Sequence, residues 1–236
     1  MSSVPSNLDS PSKPLPPELA EEERVLAEFR RRVKVSEPRD FEWTPERYLK
    51  AAELGILPER GVELYDGRIV LMPPMGIRHI VALSKSQDFL REHVNHPKGY
   101  LVLTQCTVRM GGFMPDPDLI IYHGGREMLH RQDHPASKFA LVLEISDSTL
   151  ANDRGRKASQ YAKYGIEDYW IANLTERVVE IHREPMRDGA GGRYAKIDRF
   201  TADQQVALLA LSEKTFAAGE LLDDLEDDEV KQSNQM

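Results

Sequence analysis

Apolar and polar positions along the chain follow a two-residue period in some short stretches and a helical period in others. Val62–Tyr65 and Arg68–Met72 flank Asp66-Gly67, a strong local signal for a two-residue hairpin turn, and Pro73-Pro74 ends the second strand. Tyr100–Met110 is rich in branched and apolar residues and reads as a strand with a break near Gln105, followed by a turn at Gly111-Gly112. Leu119–Tyr122 and Phe139–Ile145 are short apolar strands. Alternation puts Phe139, Leu141, Leu143 and Ile145 on one face and Ala140, Val142 and Glu144 on the other, so this strand is expected at the centre of a sheet. Asp168–Leu174 and Arg177–His182 read as a further hairpin. Glu184–Gly192 reads as a glycine-bearing loop, and Val206–Leu211 shows no decisive period.

Four stretches carry helical signatures. Thr44 is a candidate cap and Pro45 a first helical residue for a helix ending before Gly55; Arg47 stands where a capping-box glutamate would be. Arg78–Val94 places Ile80, Leu83, Leu90 and Val94 on one face, and Asn152–Tyr164 should end at Gly165. Glu18–Lys34, with an acidic start and a basic end, reads as a charged surface or oligomer-contact helix. Helices and strands alternate while several strands are hairpin-linked, which predicts an α/β fold: a mixed central sheet flanked by helices, with hairpin-linked outer strands. The expected organisation is a Pro/Ser-rich disordered leader over residues 1–17, a helix and linker over 18–40, one domain over 41–222 and an acidic disordered tail over 223–236.

Composition narrows the function classes. Cys106, the single cysteine of the 236 residues, excludes an internal disulfide and a cysteine-based zinc cluster, and fits a reducing cytoplasm. No apolar run is long enough for a membrane span, and no secretory signal is evident. A net charge of −8 argues against a general nucleic-acid coat protein, although six of the seven residues from Asp223 to Glu229 supply much of it.

The chemistry concentrates between Phe113 and Ile171. Glu144 ends a strand apolar on both faces, and Asp118 heads another; a buried carboxylate is costly without a cation. Two such acids on neighbouring strands could share Mg²⁺ through oxygen ligands, and the metal would activate a water toward a phosphodiester. Lys157, one loop and one helical turn after Glu144, could position that water; alternatively, it forms an i, i+4 surface pair with Asp153. Asp116 rivals Asp118 on the same face. Arg154, Arg156, Lys157 and Lys163 form a compact basic cluster that could contact a DNA backbone or simply be a solvated face. Gln105 faces the cleft or marks a bulge. His123, His130 and His134 lack ligand spacing for zinc. Tyr161, Tyr164, Tyr169 and Trp170 read as core residues.

The fragments VELYDGRIVLMPP…RH, PDLIIY, LVLEIS and DRGRKASQYAKYGIEDYWI, in that order over roughly Trp43–His182, resemble the bacterial Uma-type restriction-endonuclease family of the PD-(D/E)XK nuclease superfamily. The resemblance implies a restriction-endonuclease-like fold. It also implies a Mg²⁺-dependent endodeoxyribonuclease (Mn²⁺ being an alternative ion) acting on DNA. Asp118 then matches the first acid and Glu144 the second, both as metal ligands. Ser146 stands where the superfamily lysine would be, and the family's migrated lysine falls on Lys157. Glu63 matches an upstream acid, and His79 a histidine after the proline-rich segment. Asp147 departs from the family's proline and adds an acid near the expected metal. The superfamily's habit of cutting both strands, with the amphipathic Glu18–Lys34, leads to an expected homodimer. The competing reading is a catalytically inactive DNA-binding or scaffold protein on the same fold, which accounts for the acidic net charge and for the lack of any recognition motif.

Overall fold

The computed structural model describes Arg24 and residues 40–58, 60–94, 99–126 and 134–225. The expected leader, nearly all of the charged helix with its linker, and tail residues 226–236 lie outside the described residues. The chain divides into two units, Met1–Phe41 and Glu42–Met236, and the second contains all three sheets seen among the described residues, together with the cleft.

Helix α1 (Pro45–Glu53) starts as its residues dictate: Thr44 Oγ1 accepts the Arg47 amide at 3.3 Å, and Pro45 supplies a preset φ. Strands β1 (Val62–Tyr65) and β2 (Arg68–Leu71) turn on Asp66 and Gly67, both at positive φ (43° and 83°) as a type I′ turn requires. β1 also pairs with the short β4 (Phe113–Met114), giving a small sheet of order β2-β1-β4.

Helix α2 (Ile77–His93) buries His79, Ala82, Ser86 and Leu90. That differs from the apolar face expected from sequence, since Ile80 is 48% exposed. The small Ala82 and Ser86 let the helix lie close to the sheet, and the helix turns to carry His79 inward.

The main sheet runs β3-β5-β6-β7-β8-β9, with β3 (Tyr100–Thr104), β5 (Leu119–His123), β6 (Phe139–Ser146), β7 (Asp168–Asn173), β8 (Val178–Asp188) and β9 (Gly191–Thr201). β6 and β7 are parallel, joined by a helical crossover, and every other neighbour pair is antiparallel. β3 stops where Gln105 takes φ 47°, the position at which the apolar run is expected to break.

One face of β6 carries Leu141, Leu143 and Ile145 into a core with Trp170, Ala172 and Ile181; the other packs Val142 with Ile171, Tyr169 and Tyr161. Phe139 joins this second core, not the first. A register irregularity between Ile121 and Tyr122 sets it opposite Tyr122 and breaks the simple alternation. With both faces covered, β6 is buried along its length apart from the half-buried Ala140.

The crossover contains α3 (Leu150–Asn152), a π turn (Asp153–Lys157) and α4 (Ala158–Tyr164), ended by Gly165 in the left-handed region. Glu184–Gly192, expected as a loop, instead completes the β8–β9 hairpin. Most of its residues are exposed, and four of the nine are glycine or alanine, so no period-two pattern announces the strands. Val206–Leu211 resolves into part of β10 (Gln205–Val206), paired with β11 (Phe216–Ala217), and a 3₁₀ turn at Leu209–Leu211. Chain packing extends past Leu222. Asp223 is fully buried against Arg78 and Arg177, and Asp224 pairs with Lys85.

β9 meets α4 at Gly192, where a Cβ would come 2.3 Å from the Lys163 amide nitrogen. The obstacle is helix backbone, which cannot rotate away. Gly192→Ala should lower stability by about 3 kcal/mol, the upper range for overpacking; equal denaturant midpoints for mutant and parent would contradict the tight approach.

Candidate functional site

The crossover, the three-stranded sheet and the six-stranded sheet converge on a cavity of about 770 Å³ lined by Glu63, Asp118, Glu144, Asp153 and Lys157. Each side chain arrives there for a local reason. Glu63 lies on β1, between Val62 and Leu64, and is as buried as they are. Leu119 pairs with Leu143, so Asp118, just before β5, comes beside Glu144 near the end of β6. Lys157 closes the π turn, where the Ala158 amide reaches the Asp153 carbonyl five residues back.

The Lys157 ammonium lies 3.0 Å from Glu144 Oε2 and 3.3 Å from Glu63 Oε1, with all three side chains buried. The other acceptors are also taken. Glu144 Oε1 accepts the Tyr161 hydroxyl at 2.7 Å, and Glu63 Oε2 the Tyr65 hydroxyl at 2.5 Å. Asp116 N donates to Glu63 Oε1 at 3.1 Å. Asp118 Oδ1 bonds His79 Nε2 at 2.9 Å, and its Oδ2 accepts the Ile145 amide at 2.8 Å. All six oxygens of the three acids therefore contact protein donors.

Burial pushes the Glu144 carboxyl well above its usual range, against the pull of Lys157 and with reinforcement from Asp118. Burial would lower Lys157, but Glu144 and Glu63 outweigh it and hold the ammonium protonated well above its ordinary value. The two shifts differ in origin: burial dominates at Glu144, whereas at Lys157 the neighbouring acids prevail over burial. His79 is likewise raised, the Asp118 contact prevailing over burial.

Other residues singled out by sequence divide between the cavity and elsewhere. Asp153 does not form the i, i+4 pair with Lys157; its Oδ2 accepts the hydroxyls of Ser146 at 2.5 Å and Thr149 at 2.6 Å. Ser146 is thus a buried support for Asp153. Gln105 lines the cavity, its amide 2.9 Å from Met75 Sδ. Arg154 points to Glu180 and Glu176, and the exposed Arg156 sits over the Tyr65 ring with 5.9 Å to its centroid. Lys163 pairs with Asp66. Sequence reasoning missed the support given by Tyr65 and Tyr161. Tyr161 follows Lys157 by four residues on a helix, and that spacing, which puts both on one face, is the signal that could have found it.

The sequence profile of the Uma2 family, described as "Putative restriction endonuclease", matches residues 45–218. The chain belongs to the Uma2 family. Among solved structures, a "putative nuclease belonging to DUF820" from Anabaena variabilis ATCC 29413 superposes with a TM-score of 0.57 at 17% identity, covering 76% of this chain and 97% of that one. This likeness supports the mixed α/β fold. The type IIG restriction endonuclease BpuSI gives a TM-score of 0.30 at 15% identity, over 45% of this chain and 11% of that one. No curated protein matches.

Uma2 membership thus holds, but the metal chemistry expected from the resemblance does not. Among the described residues, no group of three or more His, Cys, Asp or Glu side chains could hold a metal ion. Asp118 and Glu144 are corrected from shared Mg²⁺ or Mn²⁺ ligands to hydrogen-bonded and ion-paired supports. The expectation of a Mg²⁺-dependent endonuclease, with Lys157 positioning its water, is corrected with them. For Glu144 and Glu63 the neighbouring cation is the lysine, while Asp118 is held by His79 and the Ile145 amide.

Removing one member of a buried ion cluster leaves uncompensated charge. Lys157→Met should cost about 3–5 kcal/mol, and Glu144→Gln in the same chain should recover part of that loss. A surface partner of Asp153 would instead cost at most about 0.5 kcal/mol, so thermal denaturation separates the cases.

The Arg154 contacts generate a pH test. Burial raises the Glu180 carboxyl, but the nearby His182, 3.8 Å away, and hydrogen bonds from Arg154 and Asn173 bring it far below its usual range. A depressed folded value means stabilisation present above the unfolded value of about 4.3 and lost as pH falls through the folded value. Arg154→Met should cost about 2 kcal/mol at neutral pH, and the gap from the parent should narrow in strong acid. A gap independent of pH would exclude the Glu180 contact as its origin.

Proposed function

We propose that this Uma2 chain is a catalytically silent scaffold on the nuclease fold, in which the acids and lysine of the cleft brace the structure. The observation that carries the reading is Lys157, buried between Glu63 and Glu144, whose remaining oxygens each accept a tyrosine hydroxyl. A brace of this kind gains from full pairing, whereas a hydrolytic centre needs open coordination positions.

DNA contact is a second form of the same non-catalytic reading. Family membership favours it, as does the exposed Arg156, whose guanidinium could meet a phosphate. The acidic cleft opposes entry of a phosphate, so any such contact would belong to the outer surface.

Supercoiled plasmid incubated with the full chain and Mg²⁺ or Mn²⁺ should remain intact, and titration with either ion should give no saturable heat. Nicking that disappears in Glu144→Gln would overturn the silent reading. A gel shift that weakens with salt and on Arg156→Ala would favour the DNA-binding form.

A further inference from the structure

We infer that the cleft, read as non-catalytic, is a receptor for an alkylammonium group, carried by a free polyamine or by a lysine side chain of a partner. Such a group is what the scaffold would hold.

Acidic residues alone would not suffice. Six of them line the cavity (Glu63, Asp116, Asp118, Glu144, Asp147 and Asp153) against Arg60, Lys157 and His79. The independent observation is an unfilled acceptor within that lining. Asp153 is 1% exposed, and its Oδ1 has no hydrogen-bond partner, although Oδ2 is doubly bonded. Asp116 Oδ1 is a second buried oxygen without a partner in the same cavity. Buried acceptors of this kind are uncommon because each forfeits the bond it had in water. Burial raises both carboxyls, in keeping with charge that lacks a counterion.

A metal ion requires several ligands converging at about 2.0–2.6 Å, a grouping that the described residues of the cleft do not offer. An ammonium is less demanding. Its three donors bond oxygens at about 2.7–2.9 Å, and Lys157 already shows one spanning two separate acids here. The rim suits the rest of such a ligand. Met72, Pro73, Pro74 and Met75 border the cavity, and an alkyl stem can lie on apolar surface while its charged end reaches the acids.

The test titrates the full-length protein with spermidine and with an uncharged-ended Gly-Lys-Gly peptide, following thermal midpoint and amide NMR shifts at constant ionic strength. Tetramethylammonium, which has the charge and no N–H donor, is the comparison. A saturable response to either ammonium probe, absent with tetramethylammonium, is expected. Spermidine alone would identify a free amine as the source, and the peptide alone a protein side chain. Asp116→Asn should weaken binding about tenfold, the scale of one charge-assisted hydrogen bond. It is the safer variant for folding, because Asp153 also holds Ser146 and Thr149.

No saturable response, an equal response to tetramethylammonium, or unaltered binding in both Asp116→Asn and Asp153→Asn would overturn the inference. Plasmid cleavage in Mg²⁺ by the same preparation tests the silent reading separately: an intact plasmid without amine binding removes only the ammonium site.

Discussion

A single buried ammonium ties the molecule together. Lys157 comes from the crossover, Glu63 from the small sheet and Glu144 from the main sheet, so one charge joins three structural parts. Two carboxylates transferred from water into an apolar interior would each cost several kcal/mol, and their attraction to the lysine offsets that cost only with good geometry. Geometry is enforced from outside the triad: Tyr65 and Tyr161 fix the outer oxygens, and the apolar core around Tyr161 and Tyr169 fixes the tyrosines. Packing therefore sets the electrostatics, and the electrostatics in turn hold the small sheet against the large one.

Much of this fold can be read from residue patterns. The Asp66-Gly67 turn, the Thr44-Pro45 helix start and the two-faced apolar run of β6 are local signals that the tertiary structure leaves intact. Elements shaped by nonlocal contacts are harder to read. The face of α2 follows small residues that permit close approach, so Ile80 stays outside while His79 turns in. The outer half of the β8–β9 hairpin is held by backbone pairing between mostly exposed residues, two of them glycines, and leaves no alternating hydrophobic signature. At the cleft, apolar surroundings single out Asp118 and Glu144, spacing adds Lys157 and the family resemblance adds Glu63, and the four do meet. Their chemistry is not legible in the same way. Spacing along the chain says which side chains can converge, but the donor that satisfies each oxygen depends on angles that no spacing fixes.

The same buried carboxylate can serve two opposite ends. With a coordination sphere left open, it binds an ion and does work on a substrate. With every oxygen bonded to protein donors, it becomes a specific but inert connection. Here the second description applies to the three acids at the base of the cleft, while Asp116 and Asp153 retain free acceptors. Within one lining, three acids are fully bonded to protein donors and two keep an unbonded oxygen.

The π turn gives the crossover an unusual dependence on residue count. The loop from Asp153 to Lys157 accommodates an extra residue that a regular α-helix would not. Losing one residue there, with the flanking helix unchanged, would rotate everything on one side by about 100° relative to the other. Lys157 and Tyr161 could not then both face the acids while Asp153 kept its hydroxyl partners. Length variation among relatives should be tolerated in the outer hairpin and forbidden in this turn, so the crossover acts as a counting device whose tolerance is less than one residue.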